Sequence, residues 1–438
     1  MKRKIVSSLL LVLGILYGCS TPQDSRQSVI RINYSSDALL LVETVEAVHP
    51  IFITDGLFPG NYSDVRQVFL DETSQPLTKD EFTLAVQKYM IVLRDGHMGS
   101  WLRDKSRFLR ISWTSVDGKL YLNDENGLAG TIEVTAIGGV LMSEVFDTIS
   151  VYNYFENDVD RNFQYEVFSR DEVILSLAGA QIENGSTTIS LFDSVSGEVS
   201  SQEKTFLLAS LWGIIGYTDL RSPVSSSLKD DVLYIEVQTF RDNILFDETV
   251  SIIEDAISDG VRCFVIDVRN NAGGNSGNAI KLLEAMGFSD LPVYGVARRI
   301  SGLAKEQRDS IDENVASSEI GSIFKIEPSL TTVKNAHGVY LCVLINENTF
   351  SSATYLGALV QDGNFGCIIG SPSRNSPTMF GDLLTVSLPV SNLSISISYS
   401  IFYRPDSQAD QNTLQPDILV HSVDALDAAL KYFKTIVP

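Results

Sequence analysis

The chain has 438 residues, 44% hydrophobic and 20% charged, a balance that suits a globular protein of two or three domains. Its formal net charge is −22 and no Lys/Arg-rich run interrupts it, which argues against nucleic acid as a partner, because phosphate binding needs a basic stripe. The four histidines, His49, His97, His337 and His421, are scattered, and no Cys or His pair has ligand spacing, so neither a metal nor a cofactor is expected.

The first element is an export signal. Lys2, Arg3 and Lys4 precede the apolar run Ile5 to Tyr17, and the signal spans residues 1–18. Leu16-Tyr17-Gly18-Cys19 resembles a bacterial lipobox, in which Cys19 is lipidated and becomes the mature N-terminus. Tyr17 is bulkier than the small residue usual there, and an ordinary cleaved signal with a chance cysteine is the alternative. Residues 19–32 are polar and Ser/Gln-rich, a linker. No later stretch reaches the ~18 apolar residues of a membrane span. The expectation is an extracytoplasmic protein whose membrane partner is reached through a lipid anchor, on the outer membrane or periplasmic face if two membranes are present.

Residues 33–100 read as a helical domain. Thr78-Lys79-Asp80-Glu81 forms a capping box, and Phe82, Ala85, Val86, Tyr89, Met90 and Leu93 follow at helical spacing. Asp95-Gly96 should end that helix near Arg94. From 101 to 228 the texture is β-rich. FLRISWTSVDGKLYLND carries an Asp117-Gly118 hairpin turn, strands are expected at TIEVTAI, QYEVF and TTISLF, and one helix at VLMSEVFDTI. From 229 to 438, apolar strands alternate with helical patterns: VLYIEVQTF, DETVSIIEDAIS, CFVIDV, NAIKLLEAM, YLCVLIN and CIIG. That order predicts an α/β domain on a largely parallel sheet, with ligands at the strands' carboxyl ends. Cys263, Cys342 and Cys367 each lie in or beside such a strand and read as small core hydrophobes.

Two loops fall at those carboxyl ends. VIDVRNNAGGNSG places Gly273-Gly274 between a strand and a helix, either as a tight turn or as backbone N–H groups able to hold an oxyanion. INENTFSSATYLGALVQD places Ser351-Ser352 at the start of a helix. Judged alone, such a serine is a helix cap.

Together the loops resemble the tail-specific, or C-terminal processing, serine protease family. DVRNNAGG is similar to that family's D-L-R-x-N-x-G-G loop, and TFSSATYLGALVQDGNFGCIIGSP to its nucleophile helix and following strand. In the family the nucleophile lies eleven residues before the Asp of a Gln-Asp pair, and Gln361-Asp362 puts it at Ser351. The resemblance implies a crotonase-like (ClpP-like) catalytic fold. The β-rich region stands where relatives often carry a PDZ module, although no G-L-G-F loop is present. Better-known members use a Ser-Lys dyad, but Ser373-Arg374-Asn375-Ser376 occupies the lysine loop here, and arginine stays protonated.

LRDGHMGSW resembles instead the histidine motif of the branch that includes the tricorn core and the retinoid-binding proteins. That resemblance implies His97 as base, Ser351 as nucleophile, and an acid six residues before a Pro-Asp pair. Pro416-Asp417 makes this Asp410, where the branch has Glu. Backbone N–H groups of Ser352 and of Gly273 or Gly274 would form the oxyanion hole. The implied function is hydrolysis of polypeptides through an acyl-enzyme. The alternative is a catalytically inactive relative retained as a peptide- or ligand-binding module. Oligomeric state stays open.

Overall fold

The computed structural model describes residues 30–54, 56–98, 105–125, 127–210, 222–241 and 243–437. Cys19 and the signal segment lie outside these residues. No helix among the described residues is long and apolar enough to cross a membrane.

The apolar runs of the C-terminal half form a six-stranded sheet. Its order is Ile418–Leu419, Cys367–Gly370, Tyr340–Ile345, Cys263–Asp267, Val232–Val237 and Val224–Lys229. Every pairing is parallel except the last. Alternation sorts the two faces. Phe264, Ile266, Val343 and Ile368 pack under helices Asn243–Ser258, Ser276–Ala285 and Ser352–Asp362. Cys263, Val265, Cys342 and Cys367 face the C-terminal helix Ala425–Ile436. All three cysteines are buried free thiols, as their apolar setting predicted. A sheet covered on both faces leaves its carboxyl edge as the open place for chemistry.

The N-terminal helices are Ser35–Val48, Tyr62–Thr73 and Lys79–Met90. The capping box closes as expected: Glu81 N–H donates to Thr78 Oγ1 (3.1 Å) and Thr78 N–H to Glu81 Oε2 (2.8 Å). A short 3₁₀ turn, Ile91–Leu93, follows, and Arg94 stops it with φ of 55°. These helices do not bury their apolar faces alone. Leu41, Val45 and Phe82 share one core with Phe380, Leu384, Ile397 and Ile401. The last four belong to a four-stranded antiparallel sheet, Ile323–Ile326, Gly295–Arg299, Leu393–Tyr403 and Met379–Leu388, which sequence reading missed. Asp37 ties the two together, accepting from the N–H groups of Val390 (3.1 Å) and Ser391 (2.7 Å).

The middle region is a seven-stranded antiparallel sheet between Lys105 and Ser210. Trp113–Val116 and Lys119–Asn123 form the expected hairpin, with Asp117 and Gly118 at φ of 50° and 74°. Three helices pack on this sheet: Met142–Tyr152, Asp158–Phe168 and Glu172–Leu177. The strand expected at QYEVF is therefore a correction, since these residues end the second helix. Asn157 starts it by accepting from Asp160 N–H, and Phe163, Val167 and Phe168 lie on its buried side. A cap and a helical period outweighed the local β-propensity of Tyr, Val and Phe.

Candidate active site

Ser351 stands between strand Tyr340–Ile345 and helix Ser352–Asp362, with φ of 54° and ψ of −122°. A non-glycine residue there costs about 1–3 kcal/mol and persists only where its surroundings enforce it. Phe350 N–H donates to Asn271 O (2.9 Å), and Ser351 N–H donates to Asn375 Oδ1 (2.7 Å). The Ser351 side chain makes no capping hydrogen bond, and Ser352 Oγ donates to Gly274 O (2.8 Å). Neither serine caps the helix with its hydroxyl. A sharp, strained strand-to-helix turn that frees a serine oxygen is the geometry of a nucleophile elbow.

The Gly-Gly loop fits against this turn. A Cβ on Gly273 would lie 2.6 Å from Ser351 Cβ and 2.9 Å from Ser352 N, and Gly273 has φ of 98°. Only glycine permits that approach. The Gly273 N–H donates to Asn271 Oδ1 (2.7 Å), so this group is already engaged. At the far end of the helix, Arg404 grips Asp362 with Nε (3.0 Å) and Nη2 (2.7 Å), and Nη2 also donates to Gln361 Oε1 (2.7 Å). The Gln-Asp pair thus anchors the helix that carries the serine.

His97 comes from the other core, in the loop after Arg94. Its ring centroid is 4.7 Å from that of Phe350, the residue before Ser351. Both ring nitrogens are buried and have no hydrogen-bond partner among the described residues. Leaving such groups unpaired costs about 1–3 kcal/mol each. Asp95 Oδ1 accepts from the His97 backbone N–H (2.8 Å) and lies 3.6 Å from His97 Nδ1. Asp95 Oδ2 is 3.1 Å from His49 Nε2, and His49 Nδ1 accepts from Ile51 N–H (3.2 Å). Burial alone would raise the Asp95 carboxyl, but its contacts with His49 and His97 outweigh that and hold it well below the usual carboxylate range.

Asp410 is not brought to His97. It is exposed on a loop, where its Oδ1 accepts from Asn412 N–H (2.8 Å) and its carbonyl from Arg404 Nη1 (2.7 Å). The lysine-loop residues act structurally. Arg374 lies over the rings of Phe163 (4.0 Å) and Phe350 (4.5 Å). Asn375 Nδ2 donates to Glu156 Oε2 (2.6 Å), as does Ser376 N–H (2.7 Å). Burial raises the Glu156 carboxyl, with the charge of His97 opposing. Burial also pushes Asp160 up to about 7, against the pull of Arg374. Asn157 Nδ2 donates to the carbonyls of Arg374 (2.8 Å) and Asn412 (2.7 Å), so one side chain of the middle region holds both loops.

Residues 231–420 match peptidase family S41. This region is an S41 peptidase domain. The chain is accordingly a serine-type peptidase. Among solved structures it is similar to mature CPAF complexed with lactacystin, at 15% identity and a TM-score of 0.62, over 92% of this chain and 97% of that one. Mature CPAF alone gives 15% identity and 0.60, over 92% and 96%. At this identity the likeness is one of fold. The photosystem II D1 C-terminal processing protease, at 12% identity and 0.44 over 89% of this chain and 94% of that one, is more distant. No curated protein matches the chain.

Sequence reading passed over several groups of the S41 domain's surroundings. Asp95 sits two residues before His97 inside the quoted motif, where D-x-H already suggests a carboxylate facing a ring. Asn375 lies in the loop where relatives carry the lysine, and nothing in that stretch signals its bond to Ser351 N–H. Glu156 and the role of His49 carry no local signal, because only the fold brings them near.

Proposed function

We propose that the chain is a serine endopeptidase that cleaves polypeptides through an acyl-enzyme, with Ser351 as nucleophile and His97 as general base. The observation that carries this is the Ser351 turn, a strained non-glycine φ with the hydroxyl released from capping. Ser351 Oγ attacks the peptide carbonyl carbon while a His97 ring nitrogen takes its proton. That proton then goes to the leaving amine as the C–N bond breaks, and water activated by His97 releases the acyl group. Because the Gly273 N–H is engaged, Gly274 and Ser352 are the better-suited donors to the oxyanion. Asp410 completes the triad only if its loop swings toward His97.

The finer reading follows the sequence. The catalytic fold is crotonase-like, the middle region is a PDZ-like module, and the branch is the Ser-His one, which the absence of a lysine supports. Cys19 carries a lipid that tethers the enzyme outside the cytoplasm. A fluorophosphonate probe tests the core claim: the wild type is labelled, and Ser351→Ala and His97→Ala lose the label. Lactacystin, bound in a CPAF structure, is a second probe. The binding-module alternative draws on the His97 ring, which has no hydrogen bond among the described residues, and a wild type that no serine probe labels would favour it.

A further inference from the structure

We infer that Asp95, clamped by His49, is the carboxylate that positions His97 for proton transfer, a role the family resemblance implies for Asp410. The inference rests on the Ser351–His97 reading above. Asp95 and His49 are only 3% and 1% exposed. The tautomer of His49 is fixed by its neighbours: Nδ1 accepts from Ile51 N–H, so its proton sits on Nε2 and points at Asp95 Oδ2. The ring is packed against Phe380 at 4.7 Å, so the donor cannot drift. Asp95 Oδ1 is then held in place by the His97 backbone N–H.

That same oxygen faces His97 Nδ1 at 3.6 Å. A rotation of the imidazole that closes less than an ångström would make the bond, fix the tautomer and leave Nε2 for Ser351. Among the described residues neither ring nitrogen has a hydrogen-bond partner, so the rotation breaks no hydrogen bond, while Phe350 packs against the ring at 4.7 Å. The other ionisable groups about His97 are differently committed. Glu156 Oε2 accepts from Asn375 and Ser376 while its Oε1 lies against Gly96, so it acts on His97 through its charge, and Arg374 is stacked on Phe350. Asp410 lies on the exposed loop with its carboxylate turned to Asn412. The arrangement is a histidine holding a carboxylate that holds a histidine, a second layer behind the base.

The test uses the full chain and the rate of fluorophosphonate labelling of Ser351 between pH 5 and 9. Asp95→Asn keeps the shape and removes the charge. By analogy with other triads, labelling should fall by about 10³–10⁴-fold. The acid limb of its pH profile should also move to lower pH, because the protonated ring loses its counter-charge while Glu156 remains. His49→Gln keeps a donor and should label within about 3-fold of wild type, whereas His49→Phe should lose about 10²-fold, the usual scale for outer-layer partners. Melting curves identify any variant that fails to fold, and the His49→Gln and His49→Phe pair then decides. A wild-type profile in Asp95→Asn, or the loss and limb shift appearing in Asp410→Asn instead, overturns the inference and leaves the nucleophile standing. A wild type that is not labelled overturns both.

Discussion

The two halves of the site are built to different standards. Around Ser351 the backbone is tied down: Phe350 N–H bonds to Asn271, Ser351 N–H to Asn375, and the helix beyond is anchored through Asp362. Around His97 the backbone is fixed by Asp95, but among the described residues the ring has no hydrogen bond at either nitrogen. The nucleophile half is a finished part, and the base half waits for its last contact. The difference follows from origin. Ser351 grows out of a parallel sheet covered on both faces, whereas His97 sits on a loop at the edge of another core. A strained residue needs the rigid support, and a proton carrier needs some freedom to turn.

The hardest blow to the finished half is Gly273→Ala. The new methyl meets Ser351 Cβ and Ser352 N at a φ that alanine resists. It should cost about 2–4 kcal/mol in a denaturant titration, on the scale of overpacking plus backbone strain, and abolish labelling. If stability and labelling both survive, the loop is not packed as described.

A smaller effect sharpens the contrast through the middle region. Asp160 is pushed up to about 7 by burial, against an ordinary value near 3.9. The folded chain therefore holds a proton that the unfolded chain releases above pH ~4, so this group's contribution to stability falls as pH rises from about 4 to 7. Asp160→Asn removes the titration. It should raise stability at pH 8 by about 1–3 kcal/mol relative to wild type and change it little at pH 4. Equal effects at both pH values would contradict the burial argument.

The smallest concerns the strain itself. Ser351→Gly relieves a conformation that costs about 1–3 kcal/mol, less the chain entropy glycine adds. The variant should gain about 1 kcal/mol of stability, and so melt slightly higher, while losing all labelling. A lower melting point would mean that the turn is not strained.

Much of this was legible because local chemistry and fold agreed. The Thr78–Glu81 box, the Asp117-Gly118 turn and the alternating cysteine strands each needed nothing beyond their own neighbours. Ser351 and Gly273 were legible for another reason, since their spacing is set by one sheet edge. Asp158–Phe168 was misread in part because its cap, Asn157, precedes a segment whose aromatic content suits a strand. Spacing from Pro416 points to Asp410, but spacing carries no information on which way a loop faces, and Asp410 is exposed with its carboxylate turned to Asn412. Asp95 and His49 lie 46 residues apart in sequence and meet only through the shared core. No periodicity reports such a meeting.

That shared core also orders events during synthesis. His49, which steadies Asp95, rests on Phe380, and the helices that present His97 find their apolar partners in strands ending at Tyr403. As the chain leaves the ribosome, the serine and its glycine loop emerge before those strands do. The base therefore has nothing to seat against until most of the chain has been made. The nucleophile waits as well, because the Ser351 turn leans on Asn375 and its helix on Arg404, so neither half of the site is seated until synthesis has passed the strand that ends at Tyr403.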